Sequence, residues 1–262
     1  MLKRSLKLFC LLVFIAGSIW GQEAKSQTYA LLCAVEKYDN VFINDLPGTK
    51  TDVENFAYFL KGEYGGNVPA GNIKFLIDKE ATTENVKKEI KDFLGRAGAN
   101  DRVYLYFSMH GGDGEILTYR NNWREFYLKM NELPALIREN IRAREVILIV
   151  DTCGSGVCAD VFKNDNVRRP NQKIAVFSAC YPDKNARSLL FSLGGLFSIW
   201  FYQGLQGWAD DNGDGKVTIR EMLSFLRGMM KLTSLGAQLQ YCHIDEGMED
   251  AVLSEGDYDL PW

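Results

Sequence analysis

The chain has 262 residues, 47% hydrophobic and 24% charged, a globular composition with enough apolar material for one core. Its net charge of -4 gives no sign of a nucleic-acid or anionic-membrane partner. The first 21 residues stand apart: Lys3, Arg4 and Lys7 precede an apolar run from Leu8 to Ile19, too short for a membrane span. This predicts a signal peptide over 1–21, cleaved near Gly21 and Gln22, and an exported protein with no stable membrane association; an uncleaved amino-terminal anchor is the other reading. Residues 22–262 form the expected single domain. Five cysteines remain there, so at least one thiol is unpaired within the chain. Cys33 and Cys180 lie in apolar strand patterns that suit a core, whereas Cys158 and Cys242 have no evident place.

Tyr29 to Val35 has the continuous apolar character of a central strand, and Thr49 to Leu60 follows with Val53, Phe56, Ala57 and Leu60 at helical spacing. Asn72 to Ile77 predicts a second strand, and Thr83 to Leu94 an amphipathic helix capped by Thr82 or Thr83. Val103 to Ser108 is a third apolar strand and breaks at Met109-His110-Gly111-Gly112. Asn131 to Asn140 reads as a helix with Pro134 in its first turn. Val146 to Val150 is a fourth strand, ending on Asp151-Thr152-Cys153-Gly154-Ser155-Gly156. A polar stretch from Asp160 to Gln172 leads to a fifth strand, Lys173 to Ser178. This alternation predicts an α/β fold, a central mostly parallel sheet with helices on both faces.

After a helix over Gly195 to Gly207, the run Asp210-Asp211-Asn212-Gly213-Asp214-Gly215, with Glu221 further on, fits the EF-hand calcium-loop pattern at every specified position. Oxygen donors at Asp210, Asn212, Asp214, the Lys216 carbonyl and Glu221 can surround a hard cation, and Gly215 allows the sharp turn. Calcium is the one cofactor expected, at 210–221 and in a structural role; acidic, glycine-rich turns without metal also occur. A helix over Thr218 to Met230 completes the unit, and Gln238 to Cys242 reads as a last strand. The acidic tail from Asp245 onward carries little signal.

Two apolar strands thus each end on a reactive side chain beside glycine, His110 and Cys153. A thiol needs a base to attack well at neutral pH, and His110 is better placed for that than His243, the only other histidine. In an open parallel sheet the carboxyl ends of the strands line the substrate crevice, so the two residues are expected to face each other there.

The motifs SMHGG after one strand and DTCGSG after the next, with LPGTKTD (Leu46 to Asp52), FSAC (Phe177 to Cys180) and GLFS (Gly195 to Ser198), resemble the caspase-like cysteine peptidases, most closely their bacterial metacaspase-like branch. The resemblance runs from about Tyr29 to Cys242. It implies a caspase-like fold and an endopeptidase acting on protein or peptide substrates through a Cys153–His110 dyad. It also implies that the backbone N–H groups of Gly111 and Cys153 hold the oxyanion. For specificity it implies cleavage after Arg or Lys, with Asp52, Ser108 and Asp151 forming the pocket. Where the family's motif often has cysteine, this chain has Thr49. The polar stretch with Lys163, Arg168, Arg169 and Lys173 is a candidate for self-processing, or else an uncut surface loop. Two alternatives stand beside this reading: a catalytically silent caspase-like scaffold, and a cysteine peptidase of the clostripain or gingipain type.

Overall fold

The computed structural model describes residues 26–119, 127–165, 169–187 and 194–258. The expected signal peptide lies outside the described residues. Five parallel strands form the centre of the fold: β1 (Thr28–Ala34), β2 (Ile73–Ile77), β3 (Arg102–Ser108), β7 (Glu145–Asp151) and β8 (Lys173–Ser178). A sixth, β10 (Tyr241–Ile244), closes one edge antiparallel, giving the order β10-β8-β7-β3-β1-β2. The sequence places this last strand over 238–242. The shift has a local cause: Gln238 is spent on side-chain bonds to the Ala179 carbonyl and the Arg187 N–H, so pairing with β8 starts only at Tyr241.

Helices cover both faces, which is why the strands read as unbroken apolar runs. On one side α2 (Thr83–Asp92), α3 (Leu133–Asn140) and α4 (Gly156–Asn164) pack Val86, Ile90, Leu133, Ile137 and Phe162 onto Leu31, Leu105 and Leu148. On the other, α1 (Thr49–Lys61), α5 (Leu196–Gln203) and α6 (Ile219–Thr233) press Phe56, Phe201 and Met222 against Leu32, Tyr106 and Ile149. Alternate residues of one strand feed opposite cores, as the two-residue period of a strand requires. Thr82 caps α2 by accepting the Asn85 N–H. Pro134 sits in the first turn of α3, where its missing N–H costs nothing.

Two small sheets were not legible in the sequence. One joins β4 (Gly111–Gly112), β5 (Glu115–Leu117) and β6 (Tyr127–Lys129) directly after His110. The other pairs β9 (Lys216–Thr218), the end of the acidic loop, with β11 (Val252–Glu255), so the acidic tail is an ordered part of the domain. Tyr258 reaches the turn at Gly207, where a Cβ would stand 2.2 Å from its ring; with φ of 100° that position needs glycine twice over.

The stretch from Asp160 to Gln172 also differs from a simple polar loop. Its first five residues complete α4, the Arg169 guanidinium bonds the Arg138 carbonyl, and the buried Gln172 amide donates to the Ile141 and Ala143 carbonyls. Lys173 begins β8 opposite Glu145. Arg168 lies outside the described residues.

Phe56 meets Tyr104 and Tyr106 edge-on, with ring centroids 5.2 and 5.5 Å away, and Phe201 at 6.2 Å. Phe56→Ala is expected to cost about 3–5 kcal/mol, read as a lower urea midpoint at unchanged slope.

Candidate active site

The register of β3 and β7 builds the site. Ser108 lies opposite Asp151, so His110 and Cys153, each two residues past its strand, leave neighbouring strands at the same height. Parallel neighbours run about 4.8 Å apart, which brings the two turns into contact. Glycine makes that contact possible: a Cβ on Gly111 would lie 2.8 Å from Thr152 Cβ. Gly154, at φ of 65°, turns the chain below the nucleophile and approaches Gly112.

His110 and Cys153 line one cavity of about 100 Å³, together with Ser108, Asp151, Thr49, Leu46, Ala186, Arg187 and Gly195. The His110 Nε2 lies 2.8 Å from the Asn44 carbonyl. A carbonyl only accepts, so Nε2 carries the proton and Nδ1 is the free basic nitrogen of the neutral ring. The His110 N–H donates to the Tyr38 hydroxyl, whose ring lies 5.3 Å from the imidazole. These contacts fix the ring from outside. Asn44 was missed from the sequence because its contribution is a backbone oxygen, for which residue type carries no signal. Cys153 Sγ points to the Ala186 carbonyl at 3.9 Å, and among the described residues no hydrogen bond joins it to His110. Burial, with the charge of Asp151 adding to it, raises the thiol above its ordinary range. This favours the thiol over the thiolate in the resting side chain.

Asp52, Ser108 and Asp151 come together beside it. Asp52, in the first turn of α1, accepts the Ser108 hydroxyl at 2.8 Å and the Gly195 N–H at 3.2 Å. Asp151 accepts the Ser198 hydroxyl at 2.5 Å and its N–H at 3.3 Å, and Tyr106 donates to the same hydroxyl. Both carboxylates are 5% exposed. Burial is the chief cause that drives both groups above the usual carboxylate range; the charge of Asp151 pushes Asp52 further, and the hydroxyl and N–H donors oppose the rise. Glycine again clears the space: a Cβ on Gly194 would stand 2.1 Å from Asp52 Oδ1, and one on Gly195 2.0 Å from Asp151 Oδ2. Ser198 and the two glycines lie in or beside the GLFS motif, but the bonds that give them their parts cross the fold. His243 is bound to Asp245 at 3.0 Å and takes no place in the site.

The acidic loop is built differently. Asp210 accepts the N–H groups of Gly213, Asp214 and Gly215, Asn212 that of Asp214, and Asp214 that of Lys216. Glu221 closes a capping box with Thr218 through Oε2, while its Oε1 is buried without a partner. Among the described residues no three acidic, histidine or cysteine side chains converge as a ready metal cluster. The donor set suits a hard cation, and the orphaned oxygen is one that such an ion would satisfy.

An open α/β sheet with a thiol and an imidazole over a carboxylate pocket at its carboxyl ends defines a protein of the caspase-like class. The caspase domain family matches residues 27–248, and the chain belongs to that family. Its domain is that of a cysteine peptidase-like hydrolase with protein substrates. A solved protein of Geobacter sulfurreducens superposes with a TM-score of 0.61 at 17% identity, covering 87% of this chain and 97% of its own, which shows the shared fold. No curated protein matches the chain. Among the described residues no helix is long and apolar enough to cross a membrane.

A resting thiol without an ion-pair partner has a measurable signature. Carboxamidomethylation of Cys153 by iodoacetamide, followed by peptide mapping, is expected to be slower than for a free cysteine at about pH 7 and to climb through the alkaline range. A rate plateau reaching below about pH 6 would instead reveal a preformed thiolate–imidazolium pair.

Proposed function

We propose that the protein is a cysteine endopeptidase that cleaves after Arg or Lys. The observation that carries this is the single cavity holding Cys153, His110 and the Asp151 carboxylate, with Asp52 bonded behind it. Cys153 attacks the peptide carbonyl and forms a thioester. His110 Nδ1 takes the thiol proton and returns it to the departing amine, while Nε2–H stays on Asn44. The N–H groups of Gly111 and Cys153 receive the oxyanion. A basic side chain entering the pocket meets Asp151, Asp52 and Ser108 and binds by charge-assisted hydrogen bonds.

The test is hydrolysis of fluorogenic peptides that differ only in Arg, Lys or Asp before the cleaved bond. Turnover of the first two, lost in Cys153→Ala and reduced about tenfold or more in kcat/KM by Asp52→Asn, is the expected result. Preference for Asp would overturn the pocket assignment, and no turnover at all would favour the scaffold reading.

The pocket also sets a pH dependence. Carboxyls raised above their usual value stay protonated as pH rises past about 4 and ionise later. KM for an Arg peptide is therefore expected to fall between about pH 4 and mildly alkaline pH, with a citrulline analogue nearly flat as the comparison. The same shift works against the fold: the folded chain holds more protons than the unfolded one in that window, so these groups subtract stability as pH rises.

We also propose that calcium binds at 210–221 through Asp210, Asn212, Asp214, the Lys216 carbonyl and Glu221, supplying charge neutralisation and a cross-link between α6 and the tail. Its support is the complete pattern and the unpartnered Glu221 oxygen. Titration of the whole chain with calcium should raise its melting temperature, an effect lost in Asp214→Asn; no shift for either would remove calcium from the reading. Export through residues 1–21 remains our proposal for localisation. Lys173, at the amino end of β8, stands about 20 Å of strand from the end of the sheet that carries Cys153, which supports self-processing there, where it occurs, as a step between two molecules.

A further inference from the structure

Arg187 lines the cavity with Cys153, His110, Asp151, Ser108 and Gly195. Its backbone is fixed at both polar atoms. The N–H donates to Oε1 of the fully buried Gln238 at 2.8 Å, and the carbonyl accepts the N–H of Leu196, the first residue of α5, at 2.8 Å. That helix also carries Ser198, the residue holding Asp151. The backbone that carries this side chain therefore stands at a set place on the rim of the carboxylate pocket. Arg187 is exposed, and among the described residues its guanidinium forms no ion pair.

The consequence is electrostatic. A pocket of two carboxylates alone would attract any cation strongly; a guanidinium on its rim offsets part of that field and competes for the same oxygens. An entering Arg or Lys side chain gains from Asp151 and Asp52 and loses to Arg187. A long neutral side chain with a hydrogen-bonding tip, such as Gln or citrulline, suffers no such opposition. We propose that Arg187 is a specificity-determining residue, the built-in counter-charge that narrows the preference for basic over long neutral polar side chains in the pocket. The proposal rests on the pocket reading above and names its substrate class: peptides with a long side chain of either kind before the cleaved bond.

The test reads binding and turnover separately. In a Cys153→Ala background, calorimetry compares two tripeptide amides that end in arginine or in citrulline, alike in shape and different in charge. The affinity ratio of arginine over citrulline is expected to rise about tenfold when Arg187→Ala is added, and more with Arg187→Glu, at low salt. Arg187→Lys should keep the original ratio, and added NaCl should shrink the difference between variants. A merely structural role would weaken both peptides together and leave the ratio alone. An unchanged or lower ratio in both Ala and Glu variants would overturn the proposal, as would failure of either peptide to bind any variant. Turnover is measured in the chain with its thiol intact. Binding without turnover there would sink the peptidase reading while leaving the ratio, and hence the part of Arg187, to be judged on its own.

Discussion

The burial of two carboxylates side by side at the end of the sheet is the constraint on which the site depends. Water would hold each charge at little cost; here each is 5% exposed, and the protein has to supply donors in place of water. It does so from two elements, β3 and α5 with the residue before it. Ser108 at the end of β3 and the Gly195 N–H before α5 serve Asp52 on α1, while Ser198 on α5 serves Asp151 on β7. Tyr106, inside β3, completes the chain by donating to Ser198. No donor in the set is a cation. The pair is thus desolvated and hydrogen-bonded but not neutralised, an arrangement that costs stability in the free protein and is relieved by a proton or by a cationic ligand. A structural ion pair would have its own counter-ion in contact.

The same elements place the reactive groups. Parallel pairing in register carries His110 and Cys153 off adjacent strands at one level, and the carboxylate pair sits close behind: Asp151 two residues before Cys153, and Ser108, the hydroxyl that holds Asp52, two before His110. A shift of one residue between β3 and β7 would separate thiol from imidazole and send one of them to the opposite face. Register is held by the cores on both sides, Leu105 and Leu148 toward one and Tyr106 and Ile149 toward the other. The geometry of the candidate site is a by-product of ordinary sheet packing. The glycines at 111, 154, 194 and 195 then remove the side chains that would otherwise block the approach.

Most of the frame could be read from the residues, because strands buried on both faces and helices buried on one leave strong apolar patterns. The strands over Lys173–Ser178 and around Tyr29, and the helix starting at Thr49, were legible for that reason. What escaped was short, or was held by contacts distant in sequence. α4 follows a glycine-rich turn and merges into polar residues, so its apolar face shows only at Cys158, Ala159 and Phe162. β4 to β6 and β11 have two to four residues each, too few for a period to register. Within the site, the candidates that carry reactive or charged side chains were named from their motifs. The partners that orient them, Asn44 by its carbonyl, Ser198, Tyr106 and the Ala186–Arg187 segment, depend on approaches across 33 to 92 positions of chain. Such pairs are fixed by tertiary packing and leave no local trace.

The walls of the cavity differ in kind. Its floor, Ser108 and Asp151, belongs to strands locked between two cores, whereas Leu46, Pro47, Ala186 and Arg187 belong to connections. A floor on rigid strands keeps the reacting atoms and carboxylates in one geometry, since moving them would disturb both cores. Connections at the surface tolerate exchange of side chains at far smaller cost than strands held between two cores. Charge at position 187 can therefore change sign without disturbing the sheet. Charge at 151 cannot, since a cation there would face Ser198 and Asp52 in a space already filled. On the proposed function, chemistry is committed to the sheet and the choice among side chains is left to the rim.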